Sequence, residues 1–171
     1  MWKNLWQEWI LPIMFACVIS LLARNFVAEA RIIPTPSMEP TILIKDRVLV
    51  DKMFYRFSDL ERGDVIVFWP PSTISAEYPF IKRIIGLPGE TVRIQNSQVY
   101  VNDNPIHENY ARKWYGSFGP VIVPQGKYFV MGDNRGDSID SRTWGFVDQS
   151  SIIGKADLIV WPPTRLGTID H

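Results

Sequence analysis

Fourteen consecutive residues near the start of the chain, Ile10 to Ala23, carry no charge, and an apolar run of that length must be hidden from water somewhere. Trp9 before it and Phe26-Val27-Ala28 after Arg24 extend the apolar character. A bilayer span needs about 20 such residues, fewer where flanking side chains reach out to the interface. Trp2, Trp6 and Trp9 recur at helical spacing, which suits indoles seated at headgroup level, and Pro12 is tolerated near a helix start. The pattern predicts one transmembrane helix over about 7–27, inside an N-terminal segment 1–30. Three other readings compete with it. A buried core helix leaves three indoles without an obvious polar partner, and an interfacial helix needs a polar face that Ile10 to Ala23 lacks. A cleavable signal fits the length and offers Ala28-Glu29-Ala30 as an A-x-A site, but its positive end is only Lys3, offset by Glu8. Arg24 and Arg31 outnumber Lys3, so a positive-inside count puts the large domain in the cytoplasm.

The remaining residues of the 171 suffice for one domain, 31–171, but not two full cores. Lys and Arg number 18 against 18 Asp and Glu, and this balance argues against a nucleic-acid partner, whose binding scales with the phosphates neutralised. With 46% hydrophobic residues and seven Trp the chain folds rather than staying disordered. A lone Cys17 makes no internal disulfide, and His107 and His171 without further cysteines make no zinc set.

Past Arg31 the pattern turns to short β-type runs: Arg47 to Asp51, Asp64 to Trp69, Phe80 to Ile85, Thr91 to Ile94, Gln98 to Val101, Tyr128 to Met131 and Ala156 to Trp161. Turn signals separate them, and little helical period intervenes. The expected fold is mainly β, an antiparallel sheet or barrel-like domain behind one N-terminal transmembrane helix. Asn102-Asp103 or Asp103-Asn104 reads as a hairpin turn. The aromatic stretch from Pro105 to Gln125 has no clear period and reads as a loop on the core or at a membrane surface.

Three segments carry candidate chemistry: Ile33 to Thr41, Lys82 to Glu90 and Gly132 to Arg142. Ser37 between prolines is by itself an ordinary turn serine. Lys82 is more telling, because strand alternation puts Tyr78, Phe80 and Ile84 on its face and Ile81, Arg83 and Ile85 on the other. An edge strand guarded by a charge is the plain alternative. A lysine works as a base only when neutral, about one molecule in 2500 at pH 7 for the ordinary amine. An apolar wall supplies the roughly 4.6 kcal/mol needed to bring its pKa to 7. A serine activated by such a lysine is an established nucleophile–base pair. In the acidic loop Gly136 stands at the fourth place from Asp133 and not the sixth, so the calcium-loop pattern fails.

Taken together and in this order, Ser-Met-Glu-Pro-Thr at 37–41, Lys-Arg at 82–83 and Gly-Asp-Asn-Arg at 132–135 resemble the boxes of type I signal peptidases, membrane-anchored Ser/Lys endopeptidases. The resemblance implies Ser37 as nucleophile and Lys82 as general base, with Thr35 and the Ser37 N–H forming the oxyanion hole. It makes Ser138 the serine that orients the lysine, and Asp140 with Arg142 an ion pair behind the site. Asp133, Asn134 and Arg135 shape the same loop, and Gly136-Asp137 departs from the Asp-Asn of many members. The implied substrates are signal-peptide-bearing preproteins cut after A-x-A-type small residues, without metal or organic cofactor. The implied place is the plasma or a thylakoid-type membrane, bilayer-anchored, with the catalytic domain on the extracytoplasmic side and against the charge count. Cleavage of its own Ala28-Glu29-Ala30 in trans is conceivable. Two alternatives stay open: a self-cleaving regulator like the SOS repressors, though no DNA-binding head is visible, and a membrane-tethered, non-catalytic β domain that binds a peptide or protein partner.

Overall fold

The computed structural model describes residues 9–53, 55 and 57–169. Helix α1 spans Leu11–Phe26, 16 residues, with Pro12 in its first turn where a missing N–H costs nothing. Its α-helical part is about 24 Å long at 1.5 Å per residue, and residues 9–10 lead into it as π-helix. No helix among the described residues is long and apolar enough to cross a membrane. The expected span over 7–27 begins outside the described residues, as do Trp2 and Trp6, and within them the helix ends at a turn at Val27. Trp9 and every residue from Ile10 to Ser20 are exposed.

Strand β1 (Ala28–Ile32) follows after that single turn residue. It pairs antiparallel with β2 (Arg47–Asp51) through five residue pairs, from Ala28 opposite Asp51 to Ile32 opposite Arg47. The Ala28-Glu29-Ala30 tract is thus sheet, and the sheet begins before residue 31. The other strands are β3 (Val65–Phe68), β4 (Phe80–Gly86), β5 (Thr91–Gln95), β6 (Gln98–Val101), β7 (Asn104–Pro105), β8 (Phe118–Ile122), β9 (Lys127–Met131), β10 (Val147–Asp148), β11 (Ile152–Trp161) and β12 (Gly167–Thr168). The large sheet runs β1-β2-β11-β3-β4-β9-β10, with β12 beside β11, and the small one runs β7-β6-β5-β8. All pairs are antiparallel, and the large sheet is an open path with β1 and β10 at its ends. The domain is mainly β, as the short alternating runs predict.

The hairpin ambiguity is resolved by Val101 pairing with Asn104, which leaves Asn102 and Asp103 as the turn. Both have positive φ, 50° and 62°, the geometry of a two-residue turn that asparagine and aspartate tolerate. The stretch read as a loop contains β8, which pairs with β5 although Gly119 and Pro120 interrupt its pattern. An edge position explains why a proline is accepted there.

Three apolar clusters fill the interior, and β4 touches all of them: Ile81 joins Ile33, Met38 and Val67, Ile84 joins Phe68 and Val130, and Ile85 joins Val92 and Phe129. Residues Ile81 to Gly86 are all buried, including Lys82 and Arg83. A central strand covered on both faces has no solvent side to which a cation can turn.

Candidate active site

Pro34 and Pro36 restrict the chain around Thr35, which is extended at φ −123° and ψ 153° as a residue before proline tends to be. A single 3₁₀ turn, Pro36–Met38, follows, with proline at its start. Ile33, Met38 and Ile42 are buried in the first cluster, so the turn is pinned by apolar anchors on both sides of Ser37. From the loop after β9, the Asn134 backbone N–H donates to the Ser37 carbonyl at 3.1 Å, and its side-chain amide donates to the Pro36 carbonyl at 3.2 Å. Gly132 faces the same turn so closely that a Cβ there would collide with Ser138 Oγ and the Ser37 carbonyl oxygen.

Lys82 and Ser37, 45 positions apart, meet: Lys82 Nζ lies 2.6 Å from Ser37 Oγ and donates to the Ile81 carbonyl at 3.0 Å. Lys82 is 4% exposed and Ser37 6%. Burial lowers the amine's pKa to about 8, with Arg142 assisting and with Asp140 and Asp133 opposing. At that value about one amine in ten is neutral at pH 7. Thr35 Oγ1 is 3.5 Å from Ser37 Oγ, a contact at the outer limit of a hydrogen bond.

Ser138 does not reach Lys82 with a hydrogen bond. Its hydroxyl donates to Asp140 Oδ2 at 2.8 Å, and Asp140 also accepts from the Gly132 N–H at 3.1 Å. Arg142 closes on Asp140 as a fork, Nε on Oδ1 and Nη2 on Oδ2, each at 2.8 Å. Burial alone would raise the Asp140 carboxyl, but the Arg142 hydrogen bonds and charge hold it below the ordinary carboxylate range. Asp140 also caps the four-residue helix α2, Ser141–Trp144. The resemblance implies that Ser138 orients the lysine; here its hydroxyl turns to a buried carboxylate two residues away, a stronger acceptor.

Next to Lys82 on β4, Arg83 enters a second ion pair that residue types alone did not single out. Arg83 Nε and Nη2 donate to Asp133 Oδ1 and Oδ2 at 2.9 and 2.8 Å, both side chains are fully buried, and Thr41 Oγ1 donates to Asp133 at 2.6 Å. Tyr110 covers the Arg83 guanidinium at 4.0 Å, and Glu108 makes a fork with Arg135 at 2.6 and 2.9 Å. A usable signal was an arginine on a strand covered on both faces, which demands a carboxylate. Among the described residues no group of three His, Cys, Asp or Glu is placed to hold a metal ion.

The profile of the family described as "Signal peptidase, peptidase S26" matches residues 6–161. The "Probable signal peptidase I-2" of Synechocystis sp. is 44% identical, over 98% of this chain and 78% of its own. The "Signal peptidase I" of Leptolyngbya laminosa is 44% identical, over 95% and 83%. A crystal structure of a signal peptidase I from Enterococcus faecalis is 33% identical with TM-score 0.48, covering 57% of this chain and 97% of that one. With a match spanning nearly its whole length and relatives this similar, the chain belongs to the signal peptidase family, peptidase S26.

Proposed function

We propose that this chain is a signal peptidase I that cuts N-terminal signal peptides from preproteins after A-x-A-type small residues, with Ser37 as nucleophile and Lys82 as general base. The observation that carries this reading is a buried, partly neutral amine 2.6 Å from a buried serine hydroxyl. The neutral amine takes the hydroxyl proton as Oγ attacks the scissile carbonyl carbon. The oxyanion that forms is met by the Thr35 hydroxyl and the Ser37 N–H. The resulting ammonium then returns its proton to the leaving amine, and an acyl-Ser37 ester remains. Lys82 next takes a proton from water as the water oxygen attacks the ester carbonyl, and passes it to Ser37 Oγ as the acyl C–O bond breaks, which frees the acid product and the enzyme. Asp140 and Arg142 fix the loop that supports the dyad, and Ser138 acts through Asp140 rather than on the amine.

Cleavage of a preprotein bearing an A-x-A site tests the assignment. Ser37→Ala is expected to reduce turnover by at least about a thousandfold. Thr35→Ala, which removes one oxyanion donor, is expected to cost about 10²–10³ in kcat with little effect on the melting temperature. Full cleavage by Ser37→Ala would end the proposal.

The N-terminal segment ahead of β1 serves as the membrane tether, supported by the exposed apolar side chains from Ile10 to Ile19. The tether keeps the site in the same bilayer plane as the substrate's own apolar segment, which raises its effective concentration. The domain sits on the extracytoplasmic face of a plasma or thylakoid-type membrane, since large domains translocate despite a few flanking charges. Added protease should digest the domain on sealed right-side-out vesicles and spare it on inverted ones; the opposite pattern would place it in the cytoplasm.

A further inference from the structure

The segment from 106 to 117, which the proposed mechanism does not use, reaches the groups around the dyad at four points. Tyr110 covers Arg83 at 4.0 Å, Glu108 forks onto Arg135, Arg112 pairs with Glu39 at 3.2 Å, and the Trp114 ring lies 4.6 Å from the Arg142 guanidinium. The Arg112 N–H also donates to the Asp133 carbonyl at 2.8 Å. A Cβ on Gly116 would collide with the Trp114 indole, so the ring keeps its place only because residue 116 is glycine. The indole also packs against the cluster of Phe129 and Met131.

We infer that Trp114 is a positioning residue for the reaction: pinned by Gly116, its ring holds Arg142 on Asp140 and screens that pair from water, so that the 106–117 segment sets the charge environment of Lys82. This rests on the Ser37–Lys82 reading. The charged groups that act on Lys82 are Asp140 and Asp133, which favour its ammonium form, and Arg142, which opposes it. Arg83, on the same strand, is forked onto Asp133. A ring face on a guanidinium attracts it through the quadrupole and excludes water at once. Taking the ring away loosens Arg142 and lets water in, and both changes stabilise the ammonium form of Lys82.

The test is kcat/KM for preprotein cleavage from pH 6 to 10, alongside NMR titration of the Lys82 side chain in the same proteins. Trp114→Ala is expected to move the acid limb and the Lys82 titration upward together by about half to one pH unit. That lowers kcat/KM at pH 7 by about three- to tenfold while the alkaline plateau is kept. Trp114→Phe, which keeps a ring face, is expected to restore the wild-type limb. Gly116→Ala displaces the ring without deleting it, so it carries the same test should Trp114→Ala not fold, and the same upward movement is expected. If the variants lose stability or lower the rate equally at every pH while the limb stays put, Trp114 is packing alone and the inference is overturned. If instead the wild-type limb fails to follow the Lys82 titration, the dyad reading falls and takes this inference with it.

Discussion

Replacing Lys82 with methionine is expected to abolish preprotein cleavage, by at least about a thousandfold, while leaving the folded domain as stable as the wild type or more so. The two halves of that result have one cause. Methionine matches the lysine stem in length and apolarity, so the wall around position 82 stays filled, but the buried charge is gone. An amine at about 8 rather than 10.5 binds its proton less well in the folded chain than in the unfolded one. Below pH 8 both states are protonated, and the folded state carries the full penalty, roughly 3 kcal/mol. Between pH 8 and 10.5 the folded state has released the proton and the unfolded state has not, so wild-type stability rises across that window. The advantage of Lys82→Met in urea unfolding should therefore be largest near pH 7 and shrink toward pH 10. A variant that cleaves, or one that is several kcal/mol less stable at pH 7, contradicts the assignment of a dry base.

The second large effect concerns stability. Asp133→Asn is expected to cost about 3–5 kcal/mol, because it strips the neutralising carboxylate from a fully buried guanidinium. The Gly63 carbonyl at 2.7 Å and the Tyr110 ring also meet Arg83, and neither carries a formal charge. Against a usual domain stability of 5–15 kcal/mol that is a substantial fraction, and a fall in Tm of about 10 °C or more follows. Combining Asp133→Leu with Arg83→Met removes both charges and should recover much of the loss. Denaturant midpoints for the single and double variants decide the matter. If the single substitution cost under about 1 kcal/mol, the pair would be ornamental, and Ser37 and Lys82 would be held together by the apolar anchors and the Asn134 hydrogen bonds.

Strand alternation and turn residues were enough to read β2 to β6 and β9, because each has its own period and its own punctuation. β1 was hidden because Ala28 to Ile32 mixes small, charged and apolar residues and its Ala-Glu-Ala looks like a cleavage site; the partner β2 makes it a strand. β8 was hidden by Gly119 and Pro120, residues that an edge strand tolerates and a pattern search rejects. Ser37 and Lys82 were legible in the sequence as candidates, since a lysine among isoleucines needs a reason. What the sequence left out was pairing at a distance. That Arg83 finds Asp133 and Arg135 finds Glu108 depends on which loops the sheet brings together, and no local pattern encodes it.

The position of Ala28-Glu29-Ala30 inside β1 has a consequence for the enzyme's own survival. A protease of this proposed kind takes its victim as a loose, extended thread, whereas this tract is laced edge to edge with β2. A neighbouring copy would first have to unpick that seam. Folding thus sheathes a sequence that the unfolded chain would leave bare.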